Sequence, residues 1–282
     1  MSTSIKSKIG VMQGRLLPKY HGRYQAHPLG YWSDEFFIAK DIGLDYIEFI
    51  LDFNDASKNP LLTTNGINEI LKVTKETGVL VKTICADYFM EAPLHSSNQV
   101  ISNKSLEILK LLIHNAAILN VHDIVIPCVD NSSLCDDDSI ERFIKAVKKT
   151  IPIIELNNIN LSLETDLPPS SFSKLLKKLN SKKITVNYDI GNSAASGFDP
   201  EEELNAYGEK ISDIHIKDRN LGSGSVPLGD GCADFDKFFI KLKGINYTGP
   251  FIMQAYRDDE GVKIFKEQFL WIQKKMKEVY ES

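Results

Sequence analysis

Residues 184–217 read ITVNYDIGNSAASGFDPEEELNAYGEKISDIHIK. Two β-branched runs, residues 184–189 and 211–217, flank a segment that reads as a short helix over residues 201–207. Strand, helix and strand make a βαβ unit, in which the helix carries the chain back so that the two strands run parallel. Each run closes on chemistry. The first ends at Asp189, and the second carries His215 and Lys217 near its end.

Outward from this unit the same alternation recurs along the chain. Strands are predicted over residues 8–12, 45–51, 79–86, 123–129, 159–164, 184–189, 211–217 and 250–255. Helices are predicted over residues 33–42, 65–77, 98–119, 138–156, 171–179, 201–207, 235–243 and 261–279, with Ser33 as an N-cap and Gly43 and Gly78 where helix ends belong. Strands recurring at intervals of about 25–45 residues demand a parallel sheet. Eight units use up nearly all of the 282 residues, which favours closure into a (β/α)₈ TIM barrel, a single domain over residues 1–282. The competing architecture is an open doubly wound sheet. It usually has fewer strands, and here the first strand runs into Gln13-Gly14-Arg15, not into a GxGxxG turn. No linker, low-complexity segment or strong repeat divides the chain.

Composition narrows the function classes. A formal net charge of −5 without clustered Lys or Arg excess disfavours a nucleic-acid surface. Lys148–Lys149, Lys177–Lys178 and Lys274–Lys275 fall in helix-like stretches and read as solvated faces. Cys85, Cys128, Cys135 and Cys232 form no CxxC pair, which suits a reducing compartment. Residues 1–8 are polar, without an apolar stretch of signal-peptide length, and no segment approaches the roughly 20 apolar residues of a membrane span. A cytoplasmic protein with no membrane partner is the expectation.

A barrel of this kind carries its active site at the C-terminal ends of its strands. Strand two ends near Glu48, strand three runs into Asp87, strand five ends at Glu164 and strand six at Asp189. Strand seven carries His215 and Lys217, and strand eight ends at Gln254 with Arg257 beyond it. Equivalent points of separate units converge on one cavity in a barrel. Glu164, Asp189 and His215 suit a divalent ion such as Mn²⁺, Mg²⁺, Co²⁺ or Zn²⁺, with Gln254 a fourth, neutral oxygen donor. Such an ion can hold two adjacent sugar oxygens and polarise a carbonyl. Each residue alone also reads as structural: the two acids as ion-pair partners of Lys217 and Arg257, and His215 as a core histidine.

At these residues the chain resembles the xylose isomerase-like TIM-barrel superfamily, in particular its sugar phosphate isomerase/epimerase branch. The resemblance covers essentially the whole chain from Gly10-Val11-Met12-Gln13-Gly14-Arg15 onward. It is strongest at Asp189-Ile190-Gly191-Asn192-Ser193-Ala194, at His215-Ile216-Lys217-Asp218-Arg219 and at Pro227-Leu228-Gly229-Asp230-Gly231. It implies a divalent metal, Mn²⁺ first, on a Glu after strand five, an Asp after six, a His after seven and a Glu after eight. The first three carry over as Glu164, Asp189 and His215; the fourth position here is Gln254.

That departure bears on mechanism. Related epimerases use the two glutamates on opposite faces of the substrate, one removing the proton next to the carbonyl and the other returning it. Gln254 can ligate through its amide oxygen but takes up no proton at neutral pH. Glu164 as the remaining base favours one-sided aldose–ketose isomerisation, unless Asp87, His95 or Glu48 supplies a second acid/base. The implied function is a metal-dependent isomerase or epimerase of a small sugar or sugar phosphate, passing through an enediolate. Glu164 and Gln254 stand at the reacting centre, and Glu48, Asp87, Lys217, Arg257 and Arg15 serve as substrate contacts.

Arg257, Lys217, Arg219 and Arg15 can also each be surface or structural ion pairs. The glycines around Gly222–Gly231 read as a loop that approaches or covers a ligand, or as plain flexible chain. The segment 20–32, with Tyr24, Tyr31 and Trp32, reads as a cover for the mouth, a subunit contact, or packing against the first helix. A dimer or tetramer is the expectation from the resemblance. Two other classes share the barrel. A non-catalytic sugar-binding barrel is favoured only by Gln254. A hydrolase like the AP endonucleases needs many histidines at strand ends, and of six His only His215 lies in a ligand motif.

Overall fold

The computed structural model describes residues 8–259 and 261–280. The polar N-terminal stretch up to Ser7 lies outside them. Eight strands close into a parallel barrel: β1 (Ile9–Met12), β2 (Tyr46–Ile50), β3 (Thr83–Cys85), β4 (Asp123–Cys128), β5 (Asn160–Thr165), β6 (Ile184–Asp189), β7 (Ile211–Ile216) and β10 (Phe251–Met253). β10 pairs with β7 on one side and with β1 on the other, so the first and last strands seal the ring. Closure satisfies the strand edges that an open sheet would leave unpaired. Two short strands after β7, β8 (Asp218–Arg219) and β9 (Ser225–Val226), form an antiparallel hairpin outside the ring.

Helices follow each barrel strand. They are α1 (Asp34–Ile42), α2 (Thr64–Thr77), α3 (Tyr88–Glu91), α4 (Gln99–Ile118), α5 (Asp137–Lys148), α6 (Ile151–Asn157), α7 (Pro169–Leu179), α8 (Ile190–Ala195), α9 (Pro200–Tyr207), α10 (Phe235–Gly244) and α11 (Val262–Tyr280). The local signals behave as their chemistry requires. Thr63, Asn98, Asp136, Asp199 and Asp234 accept backbone N–H bonds at helix starts, and Gly43 and Gly78 end helices in the left-handed region. Ser33 stands at the start of α1 but makes no side-chain capping bond.

Two expectations change. The helix read over residues 138–156 is two, α5 and α6. The chain breaks at Lys149–Thr150 because Pro152, at the second position of α6, offers no N–H to continue a ladder. The third strand shrinks from residues 79–86 to β3; Leu80 keeps only an isolated bridge to Tyr46. The other predicted elements stand with ends shifted by a few residues, the variation usual at element boundaries.

Strand periodicity divides the apolar core in two. The larger part packs between strands and helices, with Val11, Ile47, Phe49, Ile84, Ile126 and Ile214 among its members. A separate small cluster, Met12, Tyr46, Ile50, Cys85, Val125 and Ile252, fills the lumen on the β10–β1–β2–β3–β4 side. On the β5–β6–β7 side, inward positions are polar. Ser162 and Glu164 share one face of β5, Asn187 and Asp189 one face of β6, and Asp213 and His215 one face of β7; all six are buried. The apolar side is broken by Glu48 of β2, which stands between Tyr46 and Ile50 on the inward face. No helix of the described residues is long and apolar enough to cross a membrane.

Candidate active site

The C-terminal ends of β5, β6 and β7 bring Glu164, Asp189 and His215 together. His215 Nδ1 lies 3.7 Å from Glu164 Oε2 and 3.8 Å from Asp189 Oδ2. One ligand atom from each residue falls within 4.8 Å of the others, close enough to share one ion. All three side chains are buried, so their charges meet in a poorly screened environment.

The neighbours hold this arrangement in place. Asn187 Nδ2 donates to Glu164 Oε2 (3.2 Å) and lies 3.1 Å from His215 Nδ1. Asn192 Nδ2 donates to Glu164 Oε1 (2.5 Å), while the Asn192 backbone N–H donates to Asp189 Oδ1 (2.7 Å). Lys217 Nζ donates to Asn192 Oδ1 (3.1 Å) and lies 3.5 Å from Asp189 Oδ2. Burial and the Asp189 charge push Glu164 up. Burial alone would raise Asp189 as well, but Lys217 and His215 outweigh it and hold that carboxyl down. Burial opposes charge on His215, yet Glu48, Asp189 and Glu164 raise it well above its ordinary value.

Glu48 departs from its expected place among the substrate contacts. It lies within β2, fully buried, and its Oε1 stands 2.8 Å from His215 Nε2 on the far side of the imidazole from Glu164 and Asp189. A carboxylate behind the second ring nitrogen fixes the orientation and basicity of a ligating histidine. Asp213 joins Glu48 and His215 in a second group of ligand-type atoms within 4.8 Å. Burial and the Glu48 charge push the Asp213 carboxyl well above its ordinary range.

The residues present fit a divalent ion. Two carboxylates and an imidazole nitrogen supply borderline-hard donors, and the Gln254 Oε1 oxygen is buried without a hydrogen-bond partner. The Gln254 amide nitrogen faces the other way and donates to Gln25 Oε1 (2.7 Å). Among the described residues both ligand-type groupings contain His215 and no other histidine. The multi-histidine zinc cluster of an AP-endonuclease-like hydrolase is therefore not assembled.

Around the reacting centre the remaining predicted residues divide. Asp87 accepts from Gln25 Nε2 (3.1 Å) and from Cys85 Sγ (3.1 Å). Arg15 Nη2 donates to Gln25 Oε1 (3.2 Å), its Nε is buried without a partner, and burial lowers the guanidinium to about 10 although Asp87 and Asp189 both support its charge. Arg15, just beyond β1, therefore shares Gln25 with Asp87. Arg257 is engaged elsewhere. Its Nε donates to the Arg15 carbonyl (2.8 Å) and its guanidinium lies over the Tyr24 ring at 4.5 Å, tying the β10 loop to the β1 loop. Arg219 donates to the Ser223 carbonyl (2.8 Å) and to Asn192 Oδ1 (2.7 Å). His95 packs against Phe143, and its backbone carbonyl takes a bond from Arg142.

A cavity of about 230 Å³ opens beside Glu164 and Asp189, walled by Asn187, Asn192, Arg219 and Gly222 among others. The glycine-rich stretch that supplies part of this wall is not slack chain. Fully buried Asp218 accepts from the backbone N–H groups of Arg219, Gly229, Gly231 and Ala233 at 2.9–3.1 Å. A Cβ on Gly231 would lie 2.1 Å from Asp218 Oδ1, so only glycine fits there. The 20–32 segment does two of the jobs foreseen for it. Trp32 packs on Phe36 of α1 and on Phe49, while Gln25 reaches over the mouth.

Sequence reading missed Asn187, Asn192, Asp213, Asp218 and Gln25. For Asn187 and Asp213 a signal existed: each stands two residues before a predicted ligand on the same strand, hence on the same inward face. For Gln25 there was none, since only folding brings residue 25 beside residues 87 and 254.

Comparison with known proteins shows the family of the chain. The model of a family described as xylose isomerase-like TIM barrel matches residues 36–275. A putative L-ribulose-5-phosphate 3-epimerase, SgbU of Haemophilus influenzae, is 28% identical over 267 residues, covering 90% of each chain. The L-ribulose-5-phosphate 3-epimerase UlaE of Salmonella paratyphi A is 28% identical over 235 residues, 80% of this chain and 83% of that one. Among solved structures, the 3-keto-D-glucoside 4-epimerase YcjR from E. coli superposes with a TM-score of 0.74 at 17% identity, over 95% of this chain and 100% of that one, a likeness of fold.

Proposed function

We infer that this chain, which belongs to the xylose isomerase-like TIM-barrel family, is a metal-dependent epimerase or isomerase of a small sugar or sugar phosphate, working as one domain through an enediolate. The observation that carries the reading is the convergence of Glu164 and Asp189 on His215 Nδ1 at 3.7 and 3.8 Å, at the end of the barrel where this fold does its chemistry. The names of the relatives at 28% identity, sugar-phosphate 3-epimerases, support the same class.

Glu164, Asp189, His215 and Gln254 would hold the ion, which when bound supplies the positive charge that polarises the substrate carbonyl. Glu164 takes the proton from the carbon next to that carbonyl. Burial and the neighbouring Asp189 charge raise its proton affinity, as a base of this kind requires. Asn192 orients the Glu164 carboxylate, and Lys217 places a second positive charge beside the developing oxyanion. Arg15, buried with a free Nε, is the contact for an anionic or hydroxyl-bearing end of the substrate.

The test joins metal content with proton exchange. Elemental analysis of wild type and His215→Ala is paired with deuterium uptake from D₂O into ketoses, aldoses and their phosphates. About one ion per chain, lost in the variant, with exchange at a single carbon, is the expected result. Absence of both metal and exchange would overturn the reading. The alternative, a sugar-binding barrel without turnover, draws on Gln254 alone and would then take its place.

A further inference from the structure

Position 254 presents an amide where a proton-transferring carboxylate would serve a two-faced reaction, so such a reaction needs another acid at the mouth. Most of its carboxylates are committed. Glu48 backs His215, Asp52 pairs with Arg23 at 2.6 Å, Glu35 takes two backbone N–H bonds at 2.7 and 2.9 Å, and Asp218 takes four. Glu203 accepts the hydroxyls of Tyr188, Tyr207 and Ser193. Asp130 and Asp166 lie beyond β4 and β5, on the side of the mouth that Glu164 already occupies.

Asp87 differs from all of these. It stands just beyond β3, two strands from Glu164 around the ring, and its partners are a thiol and an amide, neither of them charged. One amide, Gln25, bridges it to the position in question: Gln25 Nε2 donates to Asp87 Oδ2 at 3.1 Å, and Gln25 Oε1 accepts from Gln254 Nε2 at 2.7 Å. Glu164 belongs to a separate hydrogen-bond network, that of Asn187 and Asn192. Among the described residues no hydrogen bond joins the Glu164 network to that of Asp87, and Arg15 reaches the Asp87 side through the same Gln25.

We propose that Asp87 is the second proton-transfer residue of this site, taking the part that a carboxylate at position 254 would play, and that the chain is a two-base epimerase. This rests on the enediolate reading above. From one epimer, Glu164 removes the proton next to the carbonyl; the C–H electrons form the C=C bond of the enediolate and the carbonyl oxygen takes the negative charge. Protonated Asp87 then gives its proton to the opposite face of the same carbon, and the carbonyl re-forms. Glu164 ends protonated and Asp87 ionised, and exchange with water resets both. The other epimer runs the same path backwards, starting from ionised Asp87. Burial raises the Asp87 carboxyl, which helps it hold a proton to deliver.

The experiment follows both epimers of each sugar in a panel of free and phosphorylated ketopentoses and ketohexoses. Wild type, Asp87→Asn and the double variant Asp87→Asn/Gln254→Glu are incubated in D₂O. Interconversion and deuterium at the carbon next to the carbonyl are read by NMR. In Asp87→Asn, interconversion is expected to fall by about 100-fold or more. One epimer still exchanges its proton through Glu164, the other does not, and Gln254→Glu in that background restores interconversion. Retention of interconversion within about threefold of wild type would overturn the proposal, because a transferring acid/base contributes far more. Equal loss of exchange from both epimers without rescue by Gln254→Glu would also overturn it, since Asp87 would then only shape the site. A wild type that exchanges no sugar in the panel would instead overturn the enediolate reading, and the role of Asp87 would fall with it.

Discussion

His215 is a residue with two duties set by its two nitrogens. Nδ1 faces Glu164 and Asp189, and Nε2 faces the buried carboxylate of Glu48. A neutral Gln at position 48 keeps the volume and a hydrogen-bonding group but removes the charge that makes the imidazole a strong donor to an ion. Glu48→Gln is therefore expected to weaken Mn²⁺ binding by about 10–100-fold with the fold intact. Calorimetric titration of the metal-stripped protein, with circular dichroism as the control, measures this; affinity equal to wild type would show that Glu48 does not tune His215. Neither half of the pair was readable as such. Glu48 and His215 are each visible at a strand, but 167 positions separate them, and their contact crosses the lumen.

At the scale of elements, the loop between β7 and α10 is organised by one side chain. Asp218 gathers four backbone N–H groups, and the glycines at 229 and 231 exist because a side chain would strike Trp271 or Asp218. Asp218→Ala removes the acceptor of four part-buried backbone N–H groups, each bond worth about 0.5–1.5 kcal/mol. A stability loss on the order of 3 kcal/mol is expected in urea denaturation, with faster proteolysis confined to residues 219–233. A loss below about 1 kcal/mol would mean that the loop is held by other contacts. The motif Pro227–Gly231 was legible as a feature but not as a job, since the anchor lies on the preceding hairpin strand. The split between α5 and α6 was not read from the sequence: Pro152 is its local cause, and the apolar period running on across residues 138–156 concealed it.

The whole molecule is a ring whose lumen is apolar on one side, Glu48 apart, and polar on the other. In the absence of an ion, Glu164 and Asp189 repel each other within that ring, and the fold bears the cost. A divalent ion that binds the folded state and not the unfolded chain stabilises by mass action, about 2.7 kcal/mol at 100 times Kd. For a chain of this size that corresponds to a rise in Tm on the order of 5 °C. Differential scanning calorimetry with Mn²⁺ and with EDTA should show the rise and its reversal in wild type and neither in His215→Ala. A shift of equal size in the variant would place the ion elsewhere.

The amino-acid sequence by itself determined the eight βα units, their parallel pairing and the strand ends at which Glu164, Asp189 and His215 stand. These rest on hydrophobic period, capping residues and turn glycines, all of which act over a few neighbouring positions. Only the closed barrel decided which of the strand-end groups meet. It turned Glu48 inward behind His215, tied Arg257 to the Arg15 carbonyl, and carried Gln25 across the mouth to Asp87 and Gln254. Closure converts the pleat of each strand into a radial position, and that position depends on the register of all eight strands together. No local stretch of sequence encodes it.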